Sequence, residues 1–416
     1  MTTPAFSLDF TTASLDASVT FSRTGATATR VNSSGYIETV AADTPRFDYN
    51  PVTKVCKGLL VEGMRSNAQR YSTITNANWG VLRADIVDNQ TTSPLGTTTA
   101  PKVKCNTTGG GMNVSGLQCT ISSGATITAS VYLKKGYDNF ALLIVADATT
   151  SNGVRQWVNI NTGVLGSSST FGSGWAKVDA SVVDAANGWY RVTFTVSTTG
   201  TTAGFLIFPS CPADGDASCT AGVTFGYPWG AQVEEGAFAT SYIPTGASAV
   251  TRNADVATIT GSNFSNFWQA GEGGTQVQAI PSTVSGIRPL IQFDDGTANE
   301  IIALRGNTTN PELYIVDGGA PQAQIDAGTI AANTAYNLFG VWKTNDCAAK
   351  LNNGTPVTDV TATIPTVTQA RIGSDGTNYL SGHIATIDYY TGNQLAGVGR
   401  YMYTRRKNKV VQPSIF

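Results

Sequence analysis

The run Val223–Val233 constrains the fold more than any other stretch of this chain. Val223, Phe225, Tyr227, Trp229, Ala231 and Val233 alternate with Thr224, Gly226, Pro228, Gly230 and Gln232. A period of two places all the apolar side chains on one face of an extended strand, packed on a core from one side. Pro228 lacks the amide that a ladder needs, so the strand is expected at a sheet edge or with a bulge. The same alternation recurs in Ile127–Leu133 and Val192–Val196, with Gly- and Ser-rich turns between. Strands at such spacing imply antiparallel sandwiches.

Composition supports this reading. Only 13% of residues are charged, and 44 of 416 are glycine. Typical chains carry about 25% charged residues and about 7% glycine. The net charge of −2, from 26 basic and 28 acidic side chains, argues against a nucleic-acid partner. A single histidine, His383, excludes zinc sites built on several histidines and leaves one residue for any Ser–His or Cys–His nucleophile pair. The longest apolar runs, such as Phe140–Ala146, fall far short of the ~20 residues that span a bilayer. The start of the chain has neither a basic nor an apolar leader region. A soluble product of cytosolic synthesis is therefore expected, with a composition like that of exported surface proteins.

Three blocks are expected. Residues 1–75 hold a dense mixture of Arg, Asp and Glu with short apolar segments, too few for a large core of their own. They read as an extended docking segment of short strands and turns. Residues 76–256 and 257–416 each read as an antiparallel sandwich. In the third block, strands are expected at Thr275–Ala279, Pro289–Phe293, Glu300–Arg305, Glu312–Val316, Tyr336–Lys343, Ala348–Leu351, Ala370–Ile372 and His383–Tyr390. Residues 394–407 read as a short C-terminal helix, with Leu395, Val398 and Met402 on one stripe and a basic last turn.

Several side chains are candidates for chemistry. Adjacent Glu234 and Glu235 on a strand would point to opposite faces, so they do not form a glycosidase pair. Asp294 and Asp295 precede Gly296 in a turn and are weak calcium candidates; no other cofactor is expected. His383 reads as structural or surface. Asp375, Asn378 and Tyr379, in the loop 374–380, are glycan-binding candidates, together with Trp79, Trp157 and Trp175. Trp189 and Trp229 are expected in cores. Of the six cysteines, Cys211 with Cys219 and Cys105 with Cys119 flank short loops and are disulfide candidates, with reduced thiols as the alternative. Arg23 or Arg46 is expected to pair with Asp48 or Glu62 in a shielded interface.

The N-terminal block reads Thr20-Phe21-Ser22-Arg23, Ala28-Thr29-Arg30-Val31, Pro45-Arg46-Phe47-Asp48-Tyr49, Gly58-Leu59-Leu60-Val61-Glu62 and Arg65-Ser66-Asn67. This succession resembles a segment of tailed-bacteriophage virion proteins. Gly188-Trp189-Tyr190-Arg191-Val192, Trp229–Glu234 and Thr240–Thr245 resemble the carbohydrate-binding-module-like jelly rolls that follow that segment. Phe293–Asn299, Trp342–Asp346 and Gly382-His383-Ile384 resemble concanavalin A-like, laminin-G-like sandwiches. The resemblance implies a non-enzymatic virion protein, a tail fibre or a head fibre or decoration. Its implied partners are copies of itself, as a trimer, other virion proteins and host-surface glycans. A glycan-active depolymerase and a free-standing lectin are the alternatives.

Overall fold

The computed structural model describes residues 3–25 and 27–392. The C-terminal helix expected at 394–407 lies outside the described residues. Among the described residues the regular structure is almost entirely strand, in antiparallel sheets that make two β-sandwiches.

The middle sandwich has two six-membered strand paths. One runs Trp175–Asp184, Trp189–Thr198, Thr126–Lys134, Phe225–Glu235, Ala100–Cys105, Ala84–Thr91. The other runs Val164–Phe171, Gly153–Asn159, Phe140–Ala146, Thr202–Cys211, Asn113–Ser115, Gly80–Leu82, with Cys119–Thr120 added beside Thr202–Cys211. Ile127, Ala129, Val131 and Leu133 lie beside Val192, Phe194 and Val196 on the inward face of one sheet, as their alternation requires.

The strand Phe225–Glu235 differs from its sequence pattern in an instructive way. Only Ala231 and Val233 enter the core of the sandwich. Tyr227 and Trp229 face outward, into a separate cluster with Ile37, Ala100, Tyr132, Trp189 and Tyr242. The ladder against Thr126–Lys134 slips between Ser130 and Tyr132, and Gly230 there has φ of 67°. This bulge turns the strand over, so one alternating run serves two cores. It also admits Pro228 into a strand with neighbours on both sides.

The last block does not make its sandwich alone. One sheet runs Val357–Asp359, Cys347–Leu351, Tyr336–Lys343, Glu272–Pro281, Gly382–Thr391, and continues into Cys56–Val61 and Phe47–Tyr49; Phe6–Asp9 also pairs with Gly382–Thr391. The facing sheet begins with Thr20–Ser22, then Val256–Thr260, Gln369–Ile372, Ile287–Asp294, Ile301–Asn307, Asn310–Asp317 and Ala320–Asp326. Leu8, Phe10, Phe47, Leu59 and Val61 are core residues beside Val277, Leu290, Trp342 and Ile387. Gly58 permits the join. Its φ is 106°, and a Cβ there would lie 2.1 Å from the carbonyl oxygen of Ile384. The N-terminal block thus finds its core within its own chain. A shortage of core in that block therefore gives no ground for a homo-oligomer, and the expected trimer rests on the resemblance alone.

Two further expectations are corrected here. The disulfide joins Cys105 to Cys219, with Cα atoms 6.2 Å apart, and Cys119 and Cys211 are free and buried. Nearness in sequence was the wrong guide. Cys219 exchanges both backbone hydrogen bonds with Gly109, at 3.1 and 3.0 Å, which brings it alongside the end of the Ala100–Cys105 strand. Cys119 instead pairs opposite Ala203, and Cys211 opposite Phe140. Arg371 bonds through Nε to the buried carboxylate of Asp294 at 2.9 Å.

Candidate functional site

Five charged side chains converge where the N-terminal block meets both sandwiches. Each sits just beyond or at the end of a short strand: Arg23 after Thr20–Ser22, Arg46 before Phe47–Tyr49, Glu62 after Cys56–Val61, Arg252 closing Val250–Arg252, and Asp255 before Val256–Thr260. Strand ends fix the backbone while leaving the side chain aimed into the junction. All five are buried.

Arg46 is central. Its Nη1 donates to Glu62 Oε2 at 2.7 Å, to Ser241 Oγ at 2.8 Å and to the Thr29 carbonyl at 3.1 Å. Its Nη2 pairs with Asp255 Oδ2. Asp255 Oδ1 accepts from Arg23 Nη1 at 3.1 Å. Arg252 Nη2 lies 3.5 Å from Glu62 Oε2 and donates to the Gly63 carbonyl at 2.9 Å. The carboxylates are saturated from the backbone too, since Glu62 N donates to Asp255 Oδ2 at 2.9 Å and Ser241 N to Glu62 Oε1 at 2.8 Å. Burial opposes the charge on Arg46, but Asp255 and Glu62 outweigh it and hold the guanidinium above its usual range. Burial likewise pushes Glu62 up, and Arg252, Arg46 and the Ser241 bonds overcome it, leaving Glu62 well below the carboxylate range. Among the described residues, Nε of Arg23, Arg46 and Arg252 finds no hydrogen-bond partner.

Of the four interface candidates, Arg23, Arg46 and Glu62 lie in this cluster. Asp48 does not. It accepts from His383 Nε2 at 2.8 Å and pairs with Lys57 Nζ at 2.5 Å. Arg252 and Asp255 were missed. The signal was two opposite charges three residues apart in Thr251–Asp255, within a chain poor in charge.

The remaining candidates are spent on local structure. Asp375 Oδ1 accepts from the amides of Thr377 at 2.8 Å and Asn378 at 2.6 Å, and Asn378 Nδ2 donates to Asp375 Oδ2 at 2.8 Å. Tyr379 covers Gly63, where a Cβ would be 3.0 Å from its ring. Trp79 and Trp175 are in the core of the middle sandwich, and Trp157 is buried on the outer side of its second sheet. Asp294 accepts from Gly296 N at 2.8 Å, Gln292 Nε2 at 2.9 Å and Arg371 Nε, with Gln369 Nε2 as a fourth donor. A carboxylate ringed by donors, one cationic, does not suit calcium. Asp295 folds onto Thr297 through N at 2.8 Å and Oγ1 at 2.7 Å. Among the described residues no group of three or more His, Cys, Asp or Glu could hold a metal ion. Glu234 and Glu235 do face opposite ways. Glu234 is buried and accepts from Thr240 N at 2.9 Å and Gln232 Nε2 at 2.7 Å. Glu235 accepts from Ser122 N at 2.6 Å at the surface. Among the described residues, His383 Nδ1 has no hydrogen-bond partner, so none of them stands as a nucleophile in line with His383 and Asp48.

These environments set a pH dependence. Burial pushes Asp48 up, but Lys57 and His383 more than compensate, and it ends well below its usual 3.8. Lowered carboxylates such as Asp48 and Glu62 stabilise the fold at neutral pH and lose that contribution as pH falls below about 4.5. Burial and Lys57 lower His383 from its usual 6.5, despite Asp48. The unfolded chain then takes up the His383 proton first, so stability also erodes as pH falls below about 6.5. Burial raises Glu234, which acts in the opposite sense and is relieved by acid. The melting temperature should therefore decline in two stages, from about pH 6.5 and more steeply below about pH 4.5. In His383→Asn the first stage should vanish. A decline starting only below pH 4.5 in the wild type would contradict the assignment.

No protein-family model matches this chain, and no curated protein matches it. Among solved structures, the CBM40 domain of Ruminococcus gnavus IT-sialidase, bound to α2,3-sialyllactose, matches at 12% identity and a TM-score of 0.26, covering 30% of this chain and 77% of that one. Mouse laminin α1 domains LG4-5 match at 11% identity and a TM-score of 0.21, covering 79% and 88%. Trypanosoma rangeli sialidase matches at 12% identity and a TM-score of 0.28, covering 79% and 63%. At such TM-scores none of them bears on what this chain does.

Proposed function

We propose that the chain is a non-enzymatic structural protein of a bacteriophage particle, an appendage or head-decoration protein whose outward loops meet host-surface glycans. One observation carries the reading. The residues through which the N-terminal block resembles phage virion proteins, Arg23, Arg46 and Glu62, are the ones that build the buried cluster. That cluster fastens the segment to Arg252 and Asp255 at the entry to the last sandwich and to Ser241 at the exit of the middle one. The cluster is a buried set of mutually paired charges. It favours one relative placement of two sandwiches, which is what a particle-surface element needs. Partnership with other virion proteins and with further copies of this chain belongs to the same proposal.

Two measurements test it. An antibody raised against the purified chain should decorate phage particles from the same source at a symmetric position in negative-stain images. Unlabelled particles, with the chain absent from their protein composition, would overturn the virion assignment. Incubation with capsular polysaccharide or lipopolysaccharide should leave polymer length unchanged. A glycosidase needs two carboxylates about 5–10 Å apart across a bound sugar, whereas Glu234 and Asp294 are each engaged by several donors. Shortened polymer, abolished by Asp294→Ala or Glu234→Ala, would instead make the chain a depolymerase.

A further inference from the structure

The second sheet of the middle sandwich carries apolar side chains on its outer side as well as its inner side. Leu142, Ile144, Ala146, Trp157 and Cys211 form a buried cluster there, flanked by Phe140, Phe171, Leu206 and Phe208. An outward sheet face of this kind needs a cover. The segment 212–218 provides one. It leaves the strand Thr202–Cys211, and Asp214 accepts from Ser167 N at 2.9 Å and Ser167 Oγ at 2.6 Å. Ser167 belongs to Val164–Phe171, three strands away in the sheet order, so the segment crosses over Phe140–Ala146 and Gly153–Asn159. Its contacts on the way are close. Ala217 packs against the cluster. A Cβ on Gly166 would lie 3.0 Å from Trp157 and 3.1 Å from the Asp214 carboxyl. A Cβ on Gly111 would lie 2.6 Å from the Phe208 ring and 2.8 Å from the Ala217 carbonyl. At its return end the segment is fastened covalently, by Cys219 to Cys105 on the opposite sheet.

We propose that residues 212–218 form a redox-locked strap over this outer face, held down at its tip by Asp214–Ser167 and at its root by the Cys105–Cys219 disulfide. In a reducing cytosol both cysteines are thiols, and the strap is held by hydrogen bonds alone. Exposure to a low-molecular-weight disulfide closes the lock by exchange. The Cys105 and Cys219 thiols each lose a proton and together two electrons, one S–S bond forms between them, and the oxidant is released as two thiols. The oxidised strap shields Leu142, Trp157 and Phe208, and the reduced strap lifts from them on a local scale, without unfolding the sandwich.

Hydrogen exchange with mass spectrometry on the whole chain tests this, in oxidised protein and in protein reduced with a phosphine. Amides of 212–218 should exchange roughly tenfold faster or more after reduction, while those of Thr126–Lys134 stay protected. The Cys105→Ser variant should behave like the reduced wild type under both conditions. Asp214→Ala should speed exchange at the tip even when oxidised. Equal exchange in the two redox states would overturn the proposal. So would peptide mapping of oxidised protein that finds free thiols at Cys105 and Cys219, or a Cys211–Cys219 link instead. Loss of protection in Thr126–Lys134 on reduction would also overturn it, since the disulfide would then hold the sandwich and not the strap.

Discussion

Arg46→Ala should lower the unfolding free energy by about 3–5 kcal/mol, the cost of removing one member of a buried, paired set of charges. The loss arises less from the missing attraction than from what is left behind. Glu62 and Asp255 would remain buried, each short of a donor that now satisfies it. Arg23 and Arg252 still face them, which keeps the loss below that of an isolated buried charge. The matched control is Arg30→Ala. Arg30 pairs with Glu38 at 2.7 Å, but on side chains 26% and 36% exposed, and such a surface pair contributes about 0–1 kcal/mol. Arg371 would be a poor control because of its bond to Asp294. Urea denaturation midpoints at pH 7, with slopes checked for equality, give the comparison. Equally small shifts for both variants would mean that the cluster does not hold the junction together.

Much of the architecture was legible because local pattern and burial agree. Tyr336–Lys343 is a strand with the bounds expected of it, and Glu272–Pro281, Ile287–Asp294 and Gly382–Thr391 extend their expected ranges by a few residues. The edge strand Ala320–Asp326 escaped notice because only Ala323 and Ile325 reach the core from a mostly polar run. The reversal of Phe225–Glu235 was hidden for a different reason. A bulge is set by one glycine with positive φ, and hydrophobic alternation passes through it unchanged. At the junction, the charges of the first 75 residues were visible, but their partners Arg252 and Asp255 lie far along the chain, 209 residues from Arg46 to Asp255 and 232 from Arg23 to Asp255. Only the strand pairing of Thr20–Ser22 with Val256–Thr260 and of Arg65–Asn67 with Val250–Arg252 brings them together. The cysteine pairing failed on the same ground, since Cys219 is brought to Cys105, 114 residues away, by the bridge between Gly109 and Cys219 and not by nearness in sequence.

The last block, expressed alone as residues 257–416, should fail to fold. As a sequence it looks self-sufficient, with its own strands and turns. In the structure its first sheet depends on Cys56–Val61, Phe47–Tyr49 and Phe6–Asp9, and its second on Thr20–Ser22, which pairs with Val256–Thr260. Removing residues 1–256 strips Leu8, Phe10, Val19, Phe47, Leu59 and Val61 from the core. Each such side chain contributes about 1.5–3 kcal/mol when fully buried. As a group they rival the whole net stability of a domain, about 5–15 kcal/mol. The cut also bares Gly382–Thr391 as a long edge strand, whose apolar Ile384 and Ile387 invite aggregation. The fragment should therefore be insoluble or lack a cooperative thermal transition. Joining residues 1–75 to it through a flexible glycine–serine linker should restore one, because those residues supply most of the missing strands. Residues 76–256 make the useful contrast. That fragment keeps both sheets of its sandwich and nearly all of its core, losing Ile74 and the cover that Ile37 gives to Trp189 and Trp229. It should fold with reduced stability. A cooperative melt for 257–416 close to that of the full chain would show that the N-terminal strands decorate this sandwich instead of completing it.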